Sequence, residues 1–99
     1  MGSYYLTKRA VQDLAEIWNY TLEQWSEEQA NKYYRMLLSR CDEICKCPDL
    51  GKRYEEITDK LLGLSANRHI IFYRKIDQDR IEITRILHQS MDLRSRLSD

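Results

Sequence analysis

The stretch Lys8-Arg9-Ala10-Val11-Gln12-Asp13-Leu14-Ala15-Glu16-Ile17-Trp18, carried on to Trp25 and then into Ser26-Glu27-Glu28-Gln29-Ala30, decides the fold. Val11, Leu14, Ala15, Trp18, Leu22 and Trp25 recur at steps of three and four, flanked by Ala10 and Ile17, and no Gly or Pro interrupts them. This spacing predicts an amphipathic helix from Lys8 to about Trp25 with that stripe buried. Ser26-Glu27-Glu28-Gln29 reads as a capping box, in which Ser26 accepts from the amide three residues on and Gln29 reaches back. A second helix is therefore expected from Glu27 to about Cys45, with Ala30, Tyr33, Tyr34, Leu37, Cys41 and Ile44 on one side. Cys47-Pro48-Asp49-Leu50-Gly51 stops it, so the two helices form a hairpin.

Outward from the hairpin the period changes. Upstream, Tyr4-Tyr5-Leu6-Thr7 is a short β-prone run with Thr7 placed as a helix cap. Downstream, Leu61 to Ala66, His69 to Ile76 and Arg80 to His88 are strand-like runs separated by the short polar links Ala66-Asn67-Arg68 and Asp77-Gln78-Asp79. Brief links make these three strands antiparallel neighbours, and the first strand must join the same sheet. The expectation is one α+β domain over residues 1–99: an N-terminal strand, a two-helix hairpin and a three-stranded antiparallel meander, the helices packed on one face of a four-stranded sheet. The opposite face would then be wet, with Arg68, Arg74, Arg85 and His88 as candidates to occupy it. Ser90 to Leu97 reads as a capped short helix or turn.

Composition narrows the function classes. The chain has 99 residues, 16 Lys+Arg against 16 Asp+Glu, and 42% hydrophobic residues, which suits one small core. Residues 51–75 carry six basic and three acidic side chains, so the middle is the basic part. A formal net charge of zero argues against a protein that coats nucleic acid, and against sequence-specific DNA binding by this chain alone. No apolar run is long enough to span a membrane and the first residues lack a signal-peptide core, so a cytoplasmic location is expected. Cys41, Cys45 and Cys47 crowd one short segment, which is no disulfide framework and lacks zinc-site spacing; neither metal nor cofactor is expected.

Chemistry has few places to stand. There is no Gly-rich phosphate loop, no HExxH and no GxSxG. A metal-free ribonuclease needs only an acid or base and one or two arginines, and Arg68, Arg85 and His88 could supply that minimum; the plainer reading has them bind a partner or solvent. Trp18, Tyr20, Trp25, Tyr33 and Tyr34 are many aromatics for one hairpin, so they either fill the core or leave a surplus for a partner.

Four linked motifs, Ala10-Val11-Gln12-Asp13-Leu14-Ala15-Glu16-Ile17-Trp18-Asn19-Tyr20, Trp25 with Gln29-Ala30, His69-Ile70-Ile71-Phe72-Tyr73-Arg74, and Arg85-Ile86-Leu87-His88-Gln89-Ser90-Met91-Asp92, resemble a ParE toxin of the ParE/RelE superfamily, from Tyr4 to Leu97. The resemblance implies a type II toxin that a ParD-like antitoxin holds inactive in a hetero-oligomeric complex. When freed, such a toxin poisons DNA gyrase and stops growth, as an inhibitor and not an enzyme. On this reading Arg68, Arg74, Arg85, His88 and the tail residues Met91, Asp92, Arg94 and Leu97 contact gyrase, while Trp18, Tyr20, Trp25, Tyr33 and Tyr34 supply the antitoxin contact. The alternatives are a messenger-RNA endonuclease resembling RelE and YoeB, with His88, Arg85 and Arg68 catalytic, and a weakly toxic or inert module that only binds antitoxin. Zero net charge, and apolar Ile70-Ile71-Phe72 where the nuclease branch carries a catalytic Arg, count against the endonuclease.

Overall fold

A computed structural model describes residues 2–97; the ends of the expected 1–99 span, Met1, Ser98 and Asp99, lie outside the described residues. The chain runs β1 (Ser3–Leu6), α1 (Lys8–Gln24), α2 (Glu27–Lys46), β2 (Lys52–Arg53), β3 (Leu62–Ala66), β4 (His69–Lys75), β5 (Arg80–His88) and α3 (Leu93–Leu97). Both expected caps are present. Thr7 accepts the Ala10 amide at 3.1 Å and Ser26 accepts the Gln29 amide at 3.1 Å, so each helix starts with an orphan donor satisfied.

The strands form one sheet in the order β1-β5-β4-β3-β2. The meander β3-β4-β5 is antiparallel, and Asn67 takes a positive φ of 62° in the β3-β4 turn, a conformation Asn tolerates. β1 joins parallel to β5, with Tyr4 opposite Ile81 and Leu6 opposite Ile83, because the helical hairpin carries the chain back across the sheet. The sheet has five strands where four were expected. The extra one, β2, is only Lys52–Arg53 paired with Leu62 and Gly63, too short to leave an alternation in the sequence.

The larger core lies between hairpin and sheet: Ala10, Leu14, Leu37, Cys41 and Ile44 meet Leu64, Ile71, Tyr73, Ile81, Ile83 and Ile86. The other face is not the open wet surface the sequence suggests. Leu61, Ile70, Phe72 and Leu87 are buried there under Tyr54, Leu93 and Leu97. The run Ile70-Ile71-Phe72-Tyr73 is buried on both sides because the 54–61 segment and α3 close the second face. Gly63 permits this cover: a Cβ there would come within 2.7 Å of the Tyr54 ring.

Tyr73 ties the helix-stop turn to the sheet. Its fully buried ring carries a hydroxyl that donates to the Pro48 carbonyl at 2.7 Å and accepts the Gly51 amide at 2.9 Å. Removing that hydroxyl leaves two backbone groups without partners. Tyr73→Phe is expected to lower stability by about 1–3 kcal/mol, seen as a lower urea midpoint at unchanged slope.

Candidate functional site

Where β1 ends at Leu6, the outer edge of β5 loses its strand partner, and α1 takes over. Thr7 Oγ1 donates to the Thr84 carbonyl at 2.8 Å, which seats the start of α1 on that edge. Two turns along, Asp13 points inward from the stripe Ala10, Leu14, Ile17. Its Oδ2 accepts the Ile86 amide at 3.0 Å and Arg85 Nε at 2.8 Å, and its Oδ1 accepts Arg85 Nη2 at 3.0 Å. The two side chains are only 9% and 15% exposed. This is a two-pronged, charge-assisted pair inside the hairpin-to-sheet contact. Arg85 Nη1 also donates to the Arg96 carbonyl at 3.3 Å. The structure thus places Arg85 in a structural pair, not on an open face.

The expected buried stripe on α1 is shifted by one residue. Ala10, Asp13 and Leu14 are buried and Ile17 half-buried, whereas Val11, Ala15, Leu22 and Trp25 are exposed. The outer positions 11, 15, 18, 22 and 25 share one face of the helix, leaving Val11 53%, Leu22 37% and Trp25 69% exposed beside half-buried Trp18. Trp18 is pinned by its indole N–H, which donates to Asn31 Oδ1 at 3.0 Å. The five hairpin aromatics do not form one patch. Tyr20 stands about 180° round α1 from Val11 at roughly 100° per residue. Tyr33 turns inward, and Tyr34 is exposed on α2.

At the end of the sheet beneath the hairpin, four polar side chains form a chain. Tyr33 Oη accepts the Arg68 amide at 3.3 Å and lies 2.6 Å from His69 Nδ1. His69 stacks edge-on with His88, its register partner, at a 5.2 Å centroid distance, and His88 Nδ1 lies 2.7 Å from Ser90 Oγ. Desolvation, reinforced by the neighbouring His88, lowers the His69 pKa to about 4. Neutral His69 can then accept the Tyr33 hydroxyl hydrogen bond on Nδ1 and carry its own proton on Nε2. His88 therefore faces the helical side of the sheet, away from the face first assigned to it. His69 escaped the sequence reading because nothing before the structure paired it with Tyr33 across 36 residues.

The remaining candidates scatter. Arg68, Met91, Asp92 and Arg94 are exposed around the β4-β5 end of the sheet, held there by the Gln89 amide on the Arg68 carbonyl at 2.9 Å and by Arg94 Nη1 on the Glu56 carbonyl at 3.3 Å. Leu97 is half-buried in the second core, and Arg74 lies on the second face at the far end of β4, opposite Glu82. Burial pushes the Cys41 thiol up to about 12, so it is no nucleophile. Among the described residues no group of three or more His, Cys, Asp or Glu could hold a metal ion.

Strand, helical hairpin and meander superpose on a solved structure described as a chromosomal ParDE TA system from P. aeruginosa. The TM-score is 0.76, over 89% of this chain and 96% of that one, at 19% identity, a likeness of fold. The sequence carries the closer likeness. Residues 4–93 match the model of the ParE toxin of type II toxin-antitoxin system, parDE, and the chain belongs to this family. Toxin ParE1 of Caulobacter vibrioides is 37% identical over 97 residues, covering 98% of this chain and 99% of that protein. Toxin ParE1 of Mycobacterium tuberculosis is 38% identical over 94 residues, covering 94% and 96%. Toxin ParE of Escherichia coli is 28% identical over 99 residues, covering 100% and 96%.

A histidine whose folded pKa lies at about 4, below the ordinary 6.5, binds its proton more readily when the chain unfolds. Its contribution is complete above pH 6.5 and is lost as pH falls toward 4. After allowance for its partial exposure, this amounts to about 1–2 kcal/mol. Urea midpoints measured from pH 7 to 4.5 should fall less steeply in His69→Gln than in the parent chain.

Proposed function

We propose that this chain is a growth-inhibiting toxin of the cytoplasm, held silent by a ParD-like antitoxin in a hetero-oligomeric complex, and that once freed it poisons DNA gyrase without being an enzyme. Membership of the ParE toxin family supports the toxin role. The apolar stripe of α1 supports the antitoxin contact and is the single structural observation that carries the reading. Val11, Leu22 and Trp25 are exposed in line with Trp18, an arrangement suited to an amphipathic partner segment laid along the helix. No helix of the described residues is long and apolar enough to cross a membrane, so this apolar face is not part of a membrane-spanning helix.

The non-enzymatic part rests on what the candidate catalytic residues are doing. Arg85 is committed to Asp13, and Ile70 and Phe72 are buried. Zero net charge adds to this, since a nuclease lodged in ribosomal RNA would draw affinity from a basic excess. Gyrase would be met by Arg68, Met91, Asp92 and Arg94, the exposed group around the β4-β5 end of the sheet. One arrangement favours the second reading, a ribosome-dependent ribonuclease: Tyr33, His69, His88 and Ser90 form a chain of acid-base groups beside Arg68.

Two cell-free assays on the free toxin separate these readings. Gyrase supercoiling should be lost with accumulation of cleaved DNA, while messenger RNA on translating ribosomes stays intact. Cleaved message with normal supercoiling would make the histidine chain catalytic and overturn the proposal, and silence in both would leave an antitoxin-binding module. For the antitoxin surface, Trp25→Ala is expected to weaken antitoxin affinity at least about tenfold in a protein that melts like the parent, as removal of an exposed aromatic anchor typically does.

A further inference from the structure

On the second face of the sheet, a cavity of about 360 Å³ opens between the start of α1, the β4-β5 pair and α3. Lys8, Arg9, Arg74, Arg85 and Arg96 line it, with Glu82 as its one acidic residue among those described. Arg85 is matched by Asp13, and the Glu82 carboxylate already accepts the Tyr5 hydroxyl at 2.8 Å. Lys8, Arg74 and Arg96 take part in no ion pair among the described residues. They come from three separate elements, α1, β4 and α3, so their convergence is a product of the fold and not of a local run of charge. Three cations held at one concavity repel one another unless an anion joins them. The first turn of α1 beside them has no acidic residue, so the helix end adds to the positive field.

We infer that this cavity binds a phosphate group through Lys8, Arg74 and Arg96. Three positive charges against one acid ask for more than a carboxylate's single charge and two oxygens. The planar guanidinium forks of Arg74 and Arg96 suit the several peripheral oxygens of a phosphate. The space exceeds one phosphate group, which leaves room for the rest of a phosphate ester, whether the terminal phosphate of a small molecule or one in a nucleic-acid backbone. The inference rests on Lys8, Arg74 and Arg96 and does not depend on the gyrase reading.

Calorimetric titration of the full chain tests this with three probes: inorganic phosphate, adenosine monophosphate and a single-stranded oligonucleotide without terminal phosphates. Saturable binding of at least one probe is expected, weakened at least about tenfold in the Arg74→Gln/Arg96→Gln variant and about threefold in Lys8→Gln, whose exposed side chain is in no ion pair among the described residues. Arg53→Gln, on the opposite edge strand, should bind like the parent. Binding of the first two probes alone marks a terminal phosphate, and binding of the oligonucleotide marks a backbone phosphate. No saturable binding of any probe at millimolar concentration would overturn the inference. So would equal weakening by Arg53→Gln and the cavity variants, with melting temperatures confirming that all are folded.

Discussion

Asp13 is a carboxylate that the fold encloses and then satisfies three times over, and the attachment of the hairpin to the sheet depends on it. β1 covers the edge of β5 only as far as Ile83, so the Ile86 amide beyond it would be an unpaired donor in a dry contact. Asp13 closes that gap and holds Arg85 in a two-pronged pair. An ion pair so enclosed adds little net stability over an apolar replacement of the same shape, but losing either partner strands a charge. Its value is in register: it fixes α1 along β5, and with α1 every side chain that the helix presents.

The lock decides which side of α1 looks outward. With Ala10, Asp13 and Leu14 turned in, the stripe through Val11, Trp18 and Trp25 must face away from the core. An apolar face that the chain's own core does not use is the feature a neutralising partner needs. The same lock neutralises Arg85 where it lines the cavity on the second face and leaves the unmatched charge there to Lys8, Arg74 and Arg96. One interaction thus separates two surfaces, an apolar one on the helix and a cationic one beside its start.

Much of this was legible in the residues. Thr7, Ser26 and Pro48 mark the helix boundaries through local hydrogen-bond chemistry, and the β-branched runs after Leu61 mark the strands. The shift of the buried stripe was harder, because α1 is apolar over a broad arc and Val11 fits the helical period as well as Ala10 does. An acid at position 13 between Ala10 and Leu14 was the available signal, and it needed a cation 72 residues away to make sense. The second core was foreshadowed by Ile70-Ile71-Phe72-Tyr73, a run without alternation, which is what a strand covered on both faces looks like. The His69 pair with Tyr33 and the convergence of Lys8, Arg74 and Arg96 arise only from tertiary placement, and no spacing announces them.

The most direct test is a double-mutant cycle on Asp13 and Arg85, using Asp13→Ala, Arg85→Ala and the double variant in urea denaturation. If the pair sets the seat of the hairpin, the two single changes will be strongly coupled, with an interaction energy on the order of 2 kcal/mol, and the double variant will be little worse than either alone. Additivity within about 0.5 kcal/mol would contradict the account, since it would mean that each side chain acts on its own and that the position of α1 is set elsewhere.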